Sequence, residues 1–113
     1  MRYDAVINDE PIAVRKTGSM LERSRGLLGS EKLSKNEGLW IFPCNSVHSF
    51  GMRYSLDIIY LNSDQQIRSI RKDMKPARIS LDLFAKSVLE LVAGSADQLG
   101  LKVGDKVVWK NNH

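Results

Sequence analysis

The sequence predicts an α+β chain that is mainly β. It is expected to be a single domain on a bent antiparallel sheet or half-barrel, with one or two short helices. Three observations lead there. Apolar residues fall in short runs bounded by Gly, Pro, Asn, Asp and Ser, as strands do. Most gaps between these runs are too short for the crossover that a parallel pair needs, which favours antiparallel pairing. Helical spacing of any length appears once, after Ser19.

With 113 residues, the chain has room for one core, so one domain over 1–113 is expected. Its 42% hydrophobic and 27% charged residues are ordinary for a globular protein. No apolar run approaches the ~20 residues that cross a membrane. The opening stretch MRYDAVINDEP has no apolar signal-peptide region, so the expected location is cytoplasmic. Cys44 is the single cysteine. It cannot form an internal disulfide, and it excludes a zinc site with two cysteines from one chain. GSEKL and GLKVGD lack the spacing of a phosphate-binding loop. No cofactor is expected.

Along the chain, a first strand is read near Asp4–Ile7 and a second near Ile12–Arg15, with a turn at Asn8, Asp9 and Pro11. Ser19 and Glu22 form a capping box for a helix over Met20–Leu28, which Gly29 ends. Leu39–Phe42 is a strand that Pro43 stops, because proline removes a ladder donor. Val47–Met52 is a weaker strand, and Leu56–Leu61 the strongest. Asn62–Gln65 reads as a hairpin turn. The return strand Ile67–Ile70 would put those two isoleucines on opposite faces. Met74–Asp82 reads as irregular. Ser87–Val92 is a strand, Ala96–Leu99 a helical turn, and Lys106–Trp109 the last strand.

The stretch Trp40–Leu61 concentrates the residues that could do chemistry. Cys44, His48 and Asp57 are the candidates for catalysis. A cysteine nucleophile needs a base or a positive field, and His48 with Asp57 behind it has the composition of a triad. The same three residues match no standard metal set, so no metal is expected. The plainer alternative makes Cys44 a small buried hydrophobe and His48 a structural hydrogen-bonder. Trp40, Arg53, Asp57 and Glu90 are the candidates for ligand binding. Asp57 lies among apolar neighbours and needs a partner, which Arg53 or a loop N–H could supply. Glu90 sits in SVLELV; it either faces water on an edge strand or joins Asp57 and Arg53 in one pocket.

The net charge is +4, and residues 65–80 account for the whole excess: Arg68, Arg71, Lys72, Lys75 and Arg78 oppose Asp73 alone. Such a patch could hold nucleic acid weakly. More commonly these cations guard a strand edge. Nucleic acid is therefore not the expected partner.

Four segments together are specific: RSRGLLG at Arg23–Gly29, EGLWIFPCNSVHSFGMRYSLDIIYLN at Glu37–Asn62, VLELVAG at Val88–Gly94 and GLKVGDKV at Gly100–Val107. With them the chain resembles the domain-of-unknown-function 192 family of small bacterial and archaeal proteins, over about residues 15–109. The resemblance implies a compact β-rich half-barrel with helical decoration and transfers no activity. Many relatives carry an export or lipoprotein-type leader; this chain begins near the domain, so that location is not carried over. Relatives often have an aromatic at Gly51 and a glycine in the hairpin at Gln65–Gln66.

Three functions follow as expectations. The first is a non-enzymatic β-domain that binds a small ligand or protein near segment 40–61, in an oligomeric state the sequence does not specify. The second is an enzyme with Cys44 as nucleophile and His48 as base. The third is a weak nucleic-acid binder through Arg68–Arg78.

Overall fold

The structure, a computed structural model, describes residues 2–17, 33, 37–50 and 52–111. The helix expected over Met20–Leu28, its capping box and Gly51 lie outside them. The described residues are mainly β, in a large bent sheet that does not close.

The strands are β1 (Arg2–Ile7), β2 (Glu10–Thr17), β3 (Glu37–Ile41), β4 (Ser46–His48), β5 (Leu56–Leu61), β6 (Ile67–Met74), β7 (Ile79–Leu81), β8 (Ser87–Val92) and β9 (Val108–Asn111). Among the described residues, one short helix, α1, covers Ser95–Gln98. Seven strands form the main sheet in the order β6-β5-β8-β3-β2-β1-β9. The remaining two, β4 and β7, pair with each other alone.

Local chemistry explains the turns. Asn8 and Asp9 both take left-handed backbone, as a two-residue hairpin between right-twisted strands requires. In the β5–β6 hairpin, the Asn62 side chain accepts from the Asp64 and Gln66 N–H groups at 2.9 and 3.0 Å. Gln65 is left-handed at φ 62°. Its side chain accepts from Trp109 Nε1 at 2.9 Å, a bond that glycine could not make.

The sheet curls until its ends meet at one point. Gln66 bridges Lys106, and Val107 N–H donates to the Gln65 carbonyl at 2.8 Å. Inside the curl lies the first core, with Ile7, Ile12, Val14, Trp40, Ile59, Leu61, Leu89 and Leu91. Trp40 stacks on Trp109 at 3.9 Å and meets the Tyr3 ring edge-on at 5.7 Å. The second core lies on the outer side of β3, β5 and β8 and contains Leu39, Ile41, Val47, Met52, Ile58, Tyr60 and Val88. The β4–β7 pair covers it through Val47, and Tyr60 Oη donates to Ser80 Oγ at 2.7 Å. Strands β5 and β8 thus bury both faces, which is why they read as nearly continuous apolar runs.

Four expectations are corrected. Strands β2 and β3 run parallel, because the 18–36 connection is long enough for a crossover. Residues 79–81 form a strand inside the stretch read as irregular. Strand β6 extends to Met74 rather than Ile70, and carries its charges on an edge. A register shift between Tyr60 and Leu61 then brings both Ile67 and Ile70 against the first core.

Gly38 shows how tightly the centre is built. A Cβ there would sit 2.8 Å from Leu91 Cδ2 and 3.1 Å from the Glu90 carbonyl oxygen. Only hydrogen fits where β3 passes β8.

Candidate functional site

Pleat alternation divides the residues of segment 40–61 between two faces. Asp57 stands opposite Leu91, a first-core residue, so its side chain points inside the curl. There it is 1% exposed and serves three backbone N–H groups. Oδ1 accepts from Asp73 at 2.9 Å; Oδ2 accepts from Gly94 at 3.1 Å and Ala96 at 2.8 Å. All three donors exist because the chain is irregular nearby. A bulge in β6 between the partners of Leu56 and Ile58 turns the Asp73 N–H out of the ladder. The cap residue of α1, Gly94, has no side chain to satisfy the first turn, and Asp57 does so from another strand. Of the partners open to Asp57, the structure selects backbone N–H; Arg53 is exposed.

Glu90 lies across from both Ile58 and Leu39, on the second-core side, and is fully buried. It does not face water, because β8 is interior to the sheet. Nor does it share a pocket with Asp57, because the sheet stands between them.

Cys44 follows β3 and packs against the second core. Its Sγ–H donates to the Ser46 carbonyl at 3.0 Å. His48 is opposite Ile79 on the outer face of the small sheet, with its ring 5.4 Å from Phe50. Cys44 and His48 are thus on the outer side of the main sheet while Asp57 is committed on the inner side. The Cys44–His48–Asp57 triad is not assembled, and no group of three metal-binding side chains occurs among the described residues. Trp40 is 7% exposed and belongs to the first core; Lys16 Nζ lies 5.0 Å from its ring centre.

The outer face of β4–β7 is where the surface is unusual. Alternation sends Ser80 inward to Tyr60 and sends Ile79 and Leu81 outward, 61% and 58% exposed. Phe50, Leu83 and Phe84 are exposed on the flanking turns. Asp82 organises this region. Its carboxylate accepts from Arg68 Nε at 2.9 Å, Ser69 Oγ at 2.6 Å and Phe84 N–H at 3.2 Å. Burial pushes the Asp82 carboxyl up, and those hydrogen bonds outweigh it, leaving the group below the ordinary aspartate range. Arg68 also lies 5.1 Å over the Phe84 ring. For Tyr60, burial pushes the phenol above its ordinary range and exceeds the opposing effect of Ser80.

Of these, Phe50 stood out in the sequence only as an aromatic that could line a pocket or fill the core, and Ile79, Leu81, Leu83 and Phe84 did not stand out. The signal was present in ISLDLF, where Ile79, Leu81 and Leu83 alternate with Ser80 and Asp82. Pattern reading places the apolar side inward, and here the polar side is inward.

Comparison with known proteins agrees with this fold. The DUF192 family, described as Uncharacterized ACR, matches residues 4–109. A UPF0127 protein of Thermococcus sibiricus is 30% identical over 58% of this chain and 42% of its own length. A UPF0127 protein of Pyrococcus furiosus is 34% identical over 57% of this chain and 55% of its own. The matched region is thus about half of these curated relatives. A solved structure of a proposed transcription regulator from Sinorhizobium meliloti 1021 superposes with TM-score 0.81 at 21% identity, covering 96% of this chain and 92% of that one. A protein of unknown function from Novosphingobium aromaticivorans gives TM-score 0.78 at 23% identity, covering 96% and 84%. These two likenesses concern the fold. The family model's match over residues 4–109, nearly the whole chain, means that the chain belongs to the DUF192 family of uncharacterised proteins.

Proposed function

We propose that this chain is a non-enzymatic binding domain that holds its partner on the outer face of β4–β7, at the margin of segment 40–61. One observation carries the proposal. Five large apolar side chains, Phe50, Ile79, Leu81, Leu83 and Phe84, are each at least half exposed and lie on β7 and the turns flanking the small sheet. Apolar residues scattered singly over a surface need no explanation, whereas a group in one region marks an interaction site. The commitment of Asp57 to three backbone donors supports binding over Cys44 chemistry. Ion pairs of Arg68 with Asp82, Lys72 with Asp97 and Lys75 with Asp73 take three cations of the basic segment, which weakens the case for nucleic acid.

An apolar dye tests this face without knowledge of the natural partner. Anilinonaphthalene sulfonate is expected to bind the folded protein saturably. The Leu81→Ser, Leu83→Ser double variant should lose most of the enhancement while its stability changes by no more than about 1 kcal/mol, since both side chains are exposed. Dye fluorescence unchanged by the double variant contradicts the assignment.

A further inference from the structure

We propose that the free edge of β7 accepts an acidic, extended polypeptide segment as an added β-strand; this rests on the binding face assigned above and names its partner. Hydrogen-bond phase carries the inference. In the β4–β7 ladder, Asp82 N–H donates to the Asn45 carbonyl and Ser49 N–H to the Arg78 carbonyl, each at 2.9 Å. Those residues are directly opposed, so 78, 80 and 82 turn their backbone groups toward β4. Ile79 and Leu81 fall in the other phase, with N–H and C=O directed away from β4. Among the described residues nothing bonds to them. The far edge of β4 is partly used, because the Ser46 carbonyl accepts the Cys44 thiol.

Sheet edges are normally blocked by charge or covered. The edge of β6 follows that rule with Arg68, Arg71 and Lys72. The edge of β7 does not: it offers unpaired backbone groups together with outward Ile79 and Leu81. This combination suits strand addition, in which main-chain bonds supply affinity and alternate side chains supply specificity.

Charge selects among occupants. Arg78 begins the edge and Lys86 follows the 82–85 turn; neither meets a carboxylate among the described residues. An incoming strand with apolar residues beside Ile79 and Leu81 would turn its alternate residues toward the side of the pleat that carries Arg78, Ser80 and Asp82, where Arg68 already neutralises Asp82. Carboxylates fit at the Arg78 end of that side. A second copy of this chain would bring a second +4 charge and a second Arg78 to the same edge. A lipid surface would leave the Ile79 and Leu81 backbone groups without partners in hydrocarbon.

The test uses the full chain, labelled with nitrogen-15, and the capped octapeptide Asp-Val-Glu-Ile-Asp-Val-Glu-Ile. The expected result is saturable binding with shifts centred on β7 and at least about tenfold slower exchange at the Ile79 and Leu81 amides. The same peptide N-methylated on its β7-facing amides should bind at least about tenfold more weakly. A lysine-for-acid version should bind more weakly as well. Leu81→Pro removes an outward N–H without touching the β4 ladder and should also weaken binding; if that variant does not fold, the N-methylated peptide decides the point. Equal binding by the N-methylated peptide, or unchanged exchange at both amides, overturns strand addition. So does binding to phosphatidylserine vesicles in place of the peptide, or dimerisation that protects these amides. Failure of the octapeptide to bind at about 1 mM also overturns it. The dye titration then decides separately whether the face itself binds.

Discussion

Asp57→Ala is expected to destabilise the fold by about 3–5 kcal/mol, because it strands three backbone donors around a carboxylate that is 1% exposed. For a domain of this size each kcal/mol lowers Tm by about 4 °C, so the melting point should fall by on the order of 12–20 °C. The damage should start locally. Asp57 joins the β6 bulge at Asp73 to the turn and first helical residues at Gly94 and Ala96, so amides there should exchange before the rest. Asp57→Asn tests the same point more gently. It keeps one oxygen but turns an NH2 group toward a donor, and a loss of about 2 kcal/mol follows. Thermal melting checks both variants. A normal melting point for Asp57→Asn would mean that the carboxylate serves something other than the fold, and a ligand-binding or catalytic role would return.

Trp40→Ala is the second large effect, about 3–5 kcal/mol, from loss of a buried aromatic and the cavity it leaves. The stacked Trp109 and the edge-on Tyr3 lose their partner with it. Trp40→Phe provides the contrast. Among the described residues the buried Trp40 Nε1–H has no hydrogen-bond partner, so phenylalanine removes an unsatisfied donor and keeps most of the packing. That variant should cost less than about 1.5 kcal/mol. Denaturant unfolding of the two variants separates these outcomes. Equal losses would show that the indole N–H has a partner in solution.

The interior of this fold was legible because its signals are local. The apolar runs at β5 and β8 announce strands buried on both faces, and Asn8-Asp9 and Asn62 announce hairpins. The need of Asp57 for a partner was also legible from its apolar neighbours. Its actual partners were not, since they come from residues 16 to 39 positions away that meet it only after the sheet curls. The same limit hid the parallel β2–β3 pair, which is a property of closure over a long connection. A single bulge turned both Ile67 and Ile70 inward, a change of phase that period-two alternation does not contain. The exposed apolar face was hidden for a different reason. Strand β7 inverts the usual pattern, because Ser80 and Asp82 are satisfied inside by Tyr60, Ser69 and Arg68, and the apolar residues are left outside. Cys44, His48 and Asp57 looked like one constellation because sequence distance does not say which side of a sheet a residue occupies.

Hydroxyl-radical footprinting of the intact chain, read by mass spectrometry, tests the central claim most directly: that the outer face of β4–β7 is open and available to a partner. Strong labelling is predicted at Phe50, Leu81, Leu83 and Phe84, with Tyr60 and Met74 of the second core protected. Protection of those four surface residues to the same degree as Tyr60 would mean that the chain covers this face itself, and would contradict the account.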